Sequence, residues 1–250
     1  MFERAAVVEL AQLEEVLQPP CELGPYVLTS QLSRSARAMV FTARGGVFGD
    51  DEGVLKLTSS HHAARLRAEL ERLVRCAEAS VPGVVRPARP EPDWLPVPGL
   101  LDTHVATLAL PFLSGGDLNA IRRTRRELAH EVALTVGGTL RHMLELAEPL
   151  VHGSLGPRSA LLPSPGANLS ELTLIGLSSA RDLADCPRAE AATLCRQDVV
   201  AFGALLADLE PASRVTLDCR NGRFVSMADP RLWRALRQRQ PRWFGISLPW

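Results

Sequence analysis

The sequence predicts an α+β fold, because strand patterns and helix patterns occupy separate stretches of the chain. Residues 26–44 alternate between apolar and polar side chains as two strands around a polar turn, and residues 105–112 form a continuous apolar strand. Residues 60–79 and 127–150 repeat apolar side chains at the spacing of helices. A chain of 250 residues with 46% apolar residues is long enough to bury a sizeable core.

The composition argues against several classes of function. The formal net charge is zero, so no partner of nucleic acid is expected. No apolar run is long enough for a membrane span, and the acidic, periodic N-terminus is unlike a signal peptide. The five cysteines are odd in number and lack C-x-x-C spacing, which favours a reduced, cytoplasmic location over disulfides or zinc. Of the 28 basic residues 27 are arginine, a bias typical of GC-rich bacterial coding sequences.

The first half of the chain contains three further local patterns. Helical spacing over residues 3–17 ends at Pro19, so residues 1–22 are predicted to be an N-terminal helix segment. Residues 81–87 are predicted to be a strand. Residues 86–103 carry five prolines and are predicted to be an irregular loop.

The second half is patterned less regularly. Residues 163–171 are predicted to be a polar turn between two short strands. Residues 179–197 form a short stretch that is only weakly patterned. An Asn-Gly pair inside residues 215–225 predicts a small hairpin. Residues 229–240 are predicted to be a short basic helix.

Two loops in this half resemble motifs of the protein kinase family. The string VHGSLGPRSALL at residues 151–162 resembles the kinase catalytic loop, and LTLIGLS at residues 172–178 resembles the metal-binding loop. The resemblance places His152 at the signature His and Gly176 at the signature Gly of the second loop. It places uncharged residues at the catalytic Asp, the metal-binding Asn and the metal-binding Asp: Ser154, Ser159 and Leu174.

Other kinase-like features follow in family order along the chain. Small residues occupy the three glycine positions of the phosphate-binding loop: Ser33, Ser35 and Ala38. Lys56, the single lysine, lies in a strand-like run, and Glu69 on the next helix is its implied partner, with Glu71 as the alternative. Asp198 begins a kinase-like helix pattern, and the resemblance implies that it hydrogen-bonds the backbone near His152.

The resemblance therefore implies a kinase-like two-lobe fold with a truncated C-lobe. Residues 23–113 correspond to the N-lobe, and residues 114–250 to the C-lobe with a C-terminal extension. Phosphoryl transfer needs carboxylates at the attacking hydroxyl and at the metal ions, and neither Ser154 nor Leu174 supplies one. The implied protein is a catalytically inactive pseudokinase, without cofactor or metal, whose Lys56 and Glu69 are structural.

The implied function is regulatory or scaffolding binding of a protein partner, such as a kinase or another enzyme. The alternative is a kinase-like enzyme with altered group-transfer chemistry, and a structural subunit with an empty cleft is a third reading. Trp233, Trp243 and Trp250 are candidate interface residues because tryptophan and arginine are enriched at binding hot spots. A core-covering role competes for all three, and homo-oligomerisation stays open.

Overall fold

The computed structural model describes residues 10–122, 129–210 and 213–238. The helices in these ranges are α1 Leu10–Val16, α2 Ala63–Glu78, α3 Leu118–Arg122, α4 Ala129–Leu144, α5 Arg188–Leu209, α6 Arg214–Arg220 and α7 Pro230–Arg237. The strands are β1 Cys21–Leu23, β2 Tyr26–Arg34, β3 Met39–Gly45, β4 Gly53–Ser59, β5 Asp93–Pro96, β6 His104–Pro111, β7 Leu150–Val151, β8 Ala160–Leu161, β9 Thr173–Leu174 and β10 Arg181–Asp182. The larger sheet is antiparallel and its strands are separate in sequence from most helices, so the α+β class is confirmed.

The chain divides into two compact units. Of the described residues, unit 1 contains those up to Ser80, Val84–Leu113 and Gly176–Ser178. Unit 2 contains the described residues of Val81–Gly83, of Ser114–Ile175 and from Ser179 onward. The chain passes from unit 1 into the first long stretch of unit 2 between Leu113 and Ser114.

Unit 1 is built on a six-stranded sheet in the order β1-β2-β3-β4-β6-β5. In β4 the side chains of Leu55 and Leu57 are fully buried, and Lys56 between them points to the opposite face, because side chains alternate along a strand. The strands β2, β3 and β6 confirm the strand predictions for residues 26–44 and 105–112.

Helix α1 belongs to the core of unit 1. Leu10 and Leu13 on this helix pack into the same buried cluster as the sheet residues Leu55 and Leu57. The helix ends at Val16, and the next ordered segment is strand β1 rather than a continued helix. The predicted segment of residues 1–22 is thus helix and strand in its described part, and residues 1–9 lie outside the described residues.

Unit 2 is mainly helical. Helices α4 and α5 approach closely, since a Cβ atom added at Gly137 on α4 would lie 3.2 Å from the ring of Phe202 on α5. Helices α5 and α6 approach more closely still, since a Cβ atom at Gly203 would lie 2.6 Å from Cβ of Cys219. Two short antiparallel ladders, β7 with β10 and β8 with β9, hold the loops of this unit.

Two predictions for the first half are wrong. Residues 81–87 contain no strand, although Val81, Val84 and Val85 are buried. Gly83 interrupts the extended backbone there with φ +70°, and a Cβ atom at this position would lie 2.4 Å from Oγ1 of Thr139. The predicted irregular loop over residues 86–103 instead contains strand β5, which pairs with β6.

Three predictions for the second half need correction. The 127–150 helix ends at Leu144. Residues 179–197 include the first turns of α5, which are mostly exposed and therefore show no apolar stripe. The predicted hairpin over residues 215–225 is helix α6, whose N-terminus is capped by Ser213 Oγ accepting from the Thr216 N–H. Helix α7 confirms the basic helix within residues 229–240.

A separate property concerns membranes. Among the described residues, no helix combines the length and the apolar character that crossing a bilayer requires. Helix α5 is the longest of the described helices, with 22 residues, and it carries charged side chains along its length.

Candidate functional site

Lys56 and Glu69 form an ion pair inside unit 1. Lys56 Nζ donates to Glu69 Oε2 at 2.5 Å. The side chain of Glu69 is 2% exposed and that of Lys56 is 16% exposed, so strand β4 and helix α2 are joined by a nearly buried pair. Glu69 lies on the buried face of α2 because Leu66, Leu70 and Leu73 mark that face at helical spacing. Glu71, the alternative partner, is exposed.

The turn between β2 and β3 is closed by hydrogen bonds within itself. The Ser35 N–H donates to the Ala38 carbonyl at 2.9 Å. Ser35 Oγ accepts from the N–H groups of Arg37 at 3.3 Å and of Ala38 at 3.1 Å. Thr58 on β4 fastens the turn by donating to the Arg37 carbonyl at 2.6 Å. Three backbone N–H groups of the turn are therefore occupied within it, and a phosphate-binding loop would need such groups free.

A cleft of about 410 Å³ in unit 1 collects the sequence-predicted residues of this half. Its lining includes Ser33, Ser35, Ala38, Lys56 and Glu69. Sequence reasoning missed three basic residues of the lining, Arg37, His62 and Arg65. The signal was present, because a basic residue lies inside the predicted turn and two follow the start of the predicted helix.

Two of the missed residues, Arg37 and Arg65, bring positive charge to the cleft. The pKa of His62 lies below its ordinary value, first because burial disfavours the imidazolium ion. Positive charge from His61, Arg37 and Arg65 lowers the pKa further. This part of the cleft therefore favours anionic groups over cations.

Asp198 organises the loop after β7 in unit 2. Its Oδ2 accepts from the His152 N–H at 2.7 Å, and its Oδ1 accepts from the Gly153 N–H at 2.9 Å. The residue is 3% exposed, and burial raises the pKa of its carboxyl above the ordinary value while the two N–H donors oppose the rise. Helix α5 thus holds the backbone of this loop through one buried side chain.

The His152 side chain is part of the same structure. It is fully buried; Nδ1 accepts from the Ser154 N–H at 3.3 Å, so the other ring nitrogen carries the proton. Nε2 then donates to the Ile175 carbonyl at 3.2 Å. Gly153 must be glycine here, because its φ is +72° and a Cβ atom would lie 2.3 Å from the Ser179 carbonyl oxygen.

The other sequence-predicted positions in this loop and the next hold no charge. Ser159 Oγ accepts from the Gly156 N–H at 2.8 Å and contacts the Gly156 carbonyl at 2.8 Å. Leu174 is 1% exposed and lies in the β8–β9 ladder opposite Ala160. Gly176 has φ +79° and belongs to unit 1. Within the described residues, no cluster of three His, Cys, Asp or Glu side chains is placed to hold a metal ion.

Trp233 lies on α7 and packs against α4. Its Nε1 donates to the Met227 carbonyl at 2.7 Å, and the Arg141 guanidinium lies 5.5 Å from the ring centroid. A Cβ atom at Gly137 would lie 3.4 Å from the ring, so the indole covers this glycine. One part of Trp233 therefore closes the core and the rest is open to solvent. Trp243 and Trp250 lie outside the described residues.

Comparison with profiles of known protein families gives no match to this chain, and comparison with curated proteins gives none either. The functional assignment therefore depends on the residues and contacts themselves. Two constellations carry it, the Lys56–Glu69 pair with its basic cleft and the loop that Asp198 holds.

Proposed function

We propose that the chain is a degenerate member of the protein kinase-like superfamily, a pseudokinase that regulates or scaffolds a protein partner. In this proposal unit 1 corresponds to the kinase N-lobe and unit 2 to a truncated C-lobe. The protein has no phosphotransferase activity, and its surfaces rather than its chemistry carry the function.

One observation carries the proposal. Asp198 accepts hydrogen bonds from two consecutive N–H groups of the loop, at His152 and Gly153, and the next residue is the uncharged Ser154. A carboxylate that holds a loop backbone has a folding role, whereas the general base of phosphoryl transfer must lie at the attacking hydroxyl. The loop is therefore maintained while the reactive group is missing from it.

The remaining contacts support the same reading. Leu174 is a buried aliphatic side chain at the position where the resemblance requires a metal ligand, and Mg²⁺ requires oxygen ligands. The Ser159 hydroxyl accepts a hydrogen bond from the Gly156 N–H and donates one to the Gly156 carbonyl. Lys56 remains paired with Glu69, which suits a structural role between strand and helix.

A second candidate function is supported by the charge of the cleft in unit 1. Lys56, Arg37 and Arg65 line one space, and Lys56 retains some exposure there. An anionic substrate would find cationic partners in this cleft, which favours a kinase-like enzyme with altered group-transfer chemistry. The loss of carboxylates at residues 154 and 174 makes it the less favoured candidate.

Incubation of the purified chain with ATP labelled at either the α- or the γ-phosphate distinguishes these functions. We expect no label on the chain or on general protein acceptors with Mg²⁺ or Mn²⁺, because Ser154 and Leu174 supply no carboxylate to accept the hydroxyl proton or to hold the metal. Lys56→Ala is the control for contamination by an active kinase.

Each pattern of label has a definite meaning. Label from the γ-phosphate that disappears in Lys56→Ala would show phosphotransfer and refute the pseudokinase proposal. Label from the α-phosphate with the same dependence on Lys56 would instead show nucleotide transfer, which is the second candidate. Label that persists in Lys56→Ala comes from a contaminating enzyme, and the chain itself is then inactive, as expected.

A further inference from the structure

Unit 2 contains a groove at the end of α4 and along α7. Its volume is about 600 Å³. Arg141, Trp233, Arg234 and Arg237 define it, and we refer to it as the Arg-Trp groove. Ala228 and Pro230 complete an apolar floor beside the indole, so the groove combines a small apolar surface with a cationic rim.

One of the three rim arginines, Arg141, is paired with a carboxylate, and no such pair is found for Arg234 or Arg237 among the described residues. Arg141 donates through Nε to Glu145 at 2.7 Å and keeps further N–H donors on its guanidinium. The acidic residues nearby along the chain are engaged elsewhere, since Asp229 pairs with Arg231 and Asp218 pairs with Arg223. The described lining of the groove contains no acidic side chain.

The sequence around the groove repeats this imbalance. Residues 230–250 contain five arginines and no aspartate or glutamate. Because the whole chain is neutral, the residues before 230 carry a net charge of −5. The segment that begins with α7 therefore carries a net positive charge and the rest of the chain a net negative one, although Arg231 of this segment is paired with Asp229 just before it.

Three contacts hold the Trp233 side chain in place. Its N–H is satisfied by Met227, its ring is held against Gly137, and Arg141 lies over the ring. Tryptophan and arginine are among the residue types most enriched at binding hot spots, and this groove brings both types together. Carboxylates and phosphates both bind arginine in a two-point geometry, so the rim favours anionic groups, acidic side chains among them.

From these contacts we infer that the Arg-Trp groove binds an acidic segment of a partner protein, with an apolar side chain on the Trp233 floor and carboxylates on Arg234 and Arg237. A protein segment fits better than nucleic acid, because the chain is neutral overall and the groove is a single short site rather than an extended basic track. This inference rests on the proposed function, because it assigns a chemical class to the protein partner that the proposed function requires.

The test measures binding of a fluorescent 12-residue peptide in which glutamate alternates with leucine, at physiological salt, by fluorescence anisotropy. The comparison peptide carries glutamine in place of glutamate. We expect the wild-type chain to bind the glutamate peptide at least tenfold more tightly than the glutamine peptide. The double variant Arg234→Glu with Arg237→Glu should lose at least tenfold in affinity, and both side chains are exposed, so the fold tolerates the change.

The matched control is Arg67→Glu with Arg188→Glu, which makes the same change in net charge at two exposed helical arginines outside the groove. We expect its affinity to stay within threefold of wild type. Equal loss in the control, equal binding of the two peptides, or no binding of the glutamate peptide would overturn the inference. The phosphotransfer experiment does not involve this groove, so the inference and the proposed function can fail separately.

Three further measurements test for other occupants of the groove. Tighter binding of a single-stranded oligonucleotide or of phosphatidylglycerol vesicles, lost in the groove variant, would assign the groove to phosphate-bearing partners. A wild-type dimer that the groove variant converts to a monomer, measured by light scattering, would make the occupant a second copy. Peptide binding that appears only after removal of residues 239–250 would make the occupant that segment. Each of these results overturns the inference.

Discussion

At the scale of single residues, the ion pair between Lys56 and Glu69 carries the clearest energetic consequence. Replacing Lys56 by methionine leaves the Glu69 carboxylate 2% exposed and without its cation. Removing one partner of a buried pair costs about 3–5 kcal/mol. We therefore expect Lys56→Met to lower the free energy of unfolding by an amount of that order, measured by urea denaturation at pH 7.

The double variant Lys56→Met with Glu69→Leu is the sharper comparison. It removes both charges, so most of the lost stability should return. Arg44→Met is the matched control, because Arg44 is an exposed residue of the adjacent strand β3. A single variant as stable as wild type would contradict the structural role of the pair and favour a role in ligand binding.

The pairing of Lys56 with Glu69 is implied by the kinase resemblance, with Glu71 as the alternative, and the residue pattern agrees with it. Lys56 is the single lysine and lies between buried leucines, and Glu69 shares a helix face with apolar residues. The turn at residues 35–38 could not be predicted in the same way. Its closure depends on which atoms the Ser35 hydroxyl contacts, and the sequence pattern carries no information on that geometry.

At the scale of elements, the two glycines Gly203 and Gly138 give opposite predictions. A Cβ atom at Gly203 on α5 would lie 2.6 Å from Cβ of Cys219 and 2.7 Å from the backbone nitrogen of Arg220. Backbone cannot move as a side chain does, so Gly203→Ala should destabilise the protein by about 1–3 kcal/mol. No atom lies within 4 Å of a Cβ at Gly138 on α4, so Gly138→Ala should stabilise by about 1 kcal/mol.

Thermal and urea unfolding of the two variants test the packing of α5 on α6. Each variant is the other's control, because both add one methyl group to a helix interior. A stabilising effect of Gly203→Ala would mean that α6 does not pack on α5 as described.

The N-terminus of α7 gives a pH-dependent prediction. Asp229 accepts from the Arg231 N–H at 2.9 Å, and its hydrogen bonds with the Arg231 side chain lower the pKa of its carboxyl to about 2. Because the pKa of Asp229 is lower in the folded state, its carboxylate stabilises the fold fully at pH values above its ordinary pKa of 3.8. This stabilisation is lost as the pH falls towards 2. Asp229→Ala should therefore cost about 1–2 kcal/mol at pH 6, and less at pH 3.

Ser213→Ala is the control for Asp229→Ala. Ser213 caps α6 through its hydroxyl and does not titrate in this range, so its cost should be the same at both pH values. Circular dichroism during urea denaturation gives both differences. If the cost of Asp229→Ala did not fall between pH 6 and pH 3, the carboxylate would not be the source of the stabilisation.

The elements themselves were predictable where they bury a regular face. Strands β3 and β6 and helix α2 do so and are found where the sequence predicts them. Helix α6 was missed because its Asn221–Gly222 pair also suits a hairpin, and here the pair ends a helix instead. The start of α5 was missed because exposed helical turns need no apolar period.

At the scale of the whole molecule, the residues named by the kinase resemblance fall into two groups. One group makes the contacts that the resemblance implies, and the other lacks the charged groups that catalysis would need. The backbone-holding contacts of Asp198 and the Lys56–Glu69 pair are present. Where the resemblance would require the catalytic and metal-binding groups, the chain has the uncharged residues Ser154, Ser159 and Leu174. The order of the segments along the chain made the first group predictable, whereas the basic residues Arg37 and Arg65 are brought to the cleft only by folding.

The last prediction concerns nucleotide binding by the intact chain. A ligand that binds the folded state stabilises it by RT ln(1 + [L]/Kd), so 1 mM ATP should add no more than about 0.4 kcal/mol if Kd is 1 mM or weaker. We expect this small effect because the N–H groups of the turn at Ser35, Arg37 and Ala38 are occupied within it. We also expect magnesium to make no difference, because Leu174 is buried and aliphatic. Thermal shift with ATP, with ATP and Mg²⁺, and with pyrophosphate measures these effects. Equal small shifts with ATP and pyrophosphate would reflect the positive charge of Arg37 and Arg65, whereas a shift of about 2.7 kcal/mol that needs Mg²⁺ would contradict the prediction.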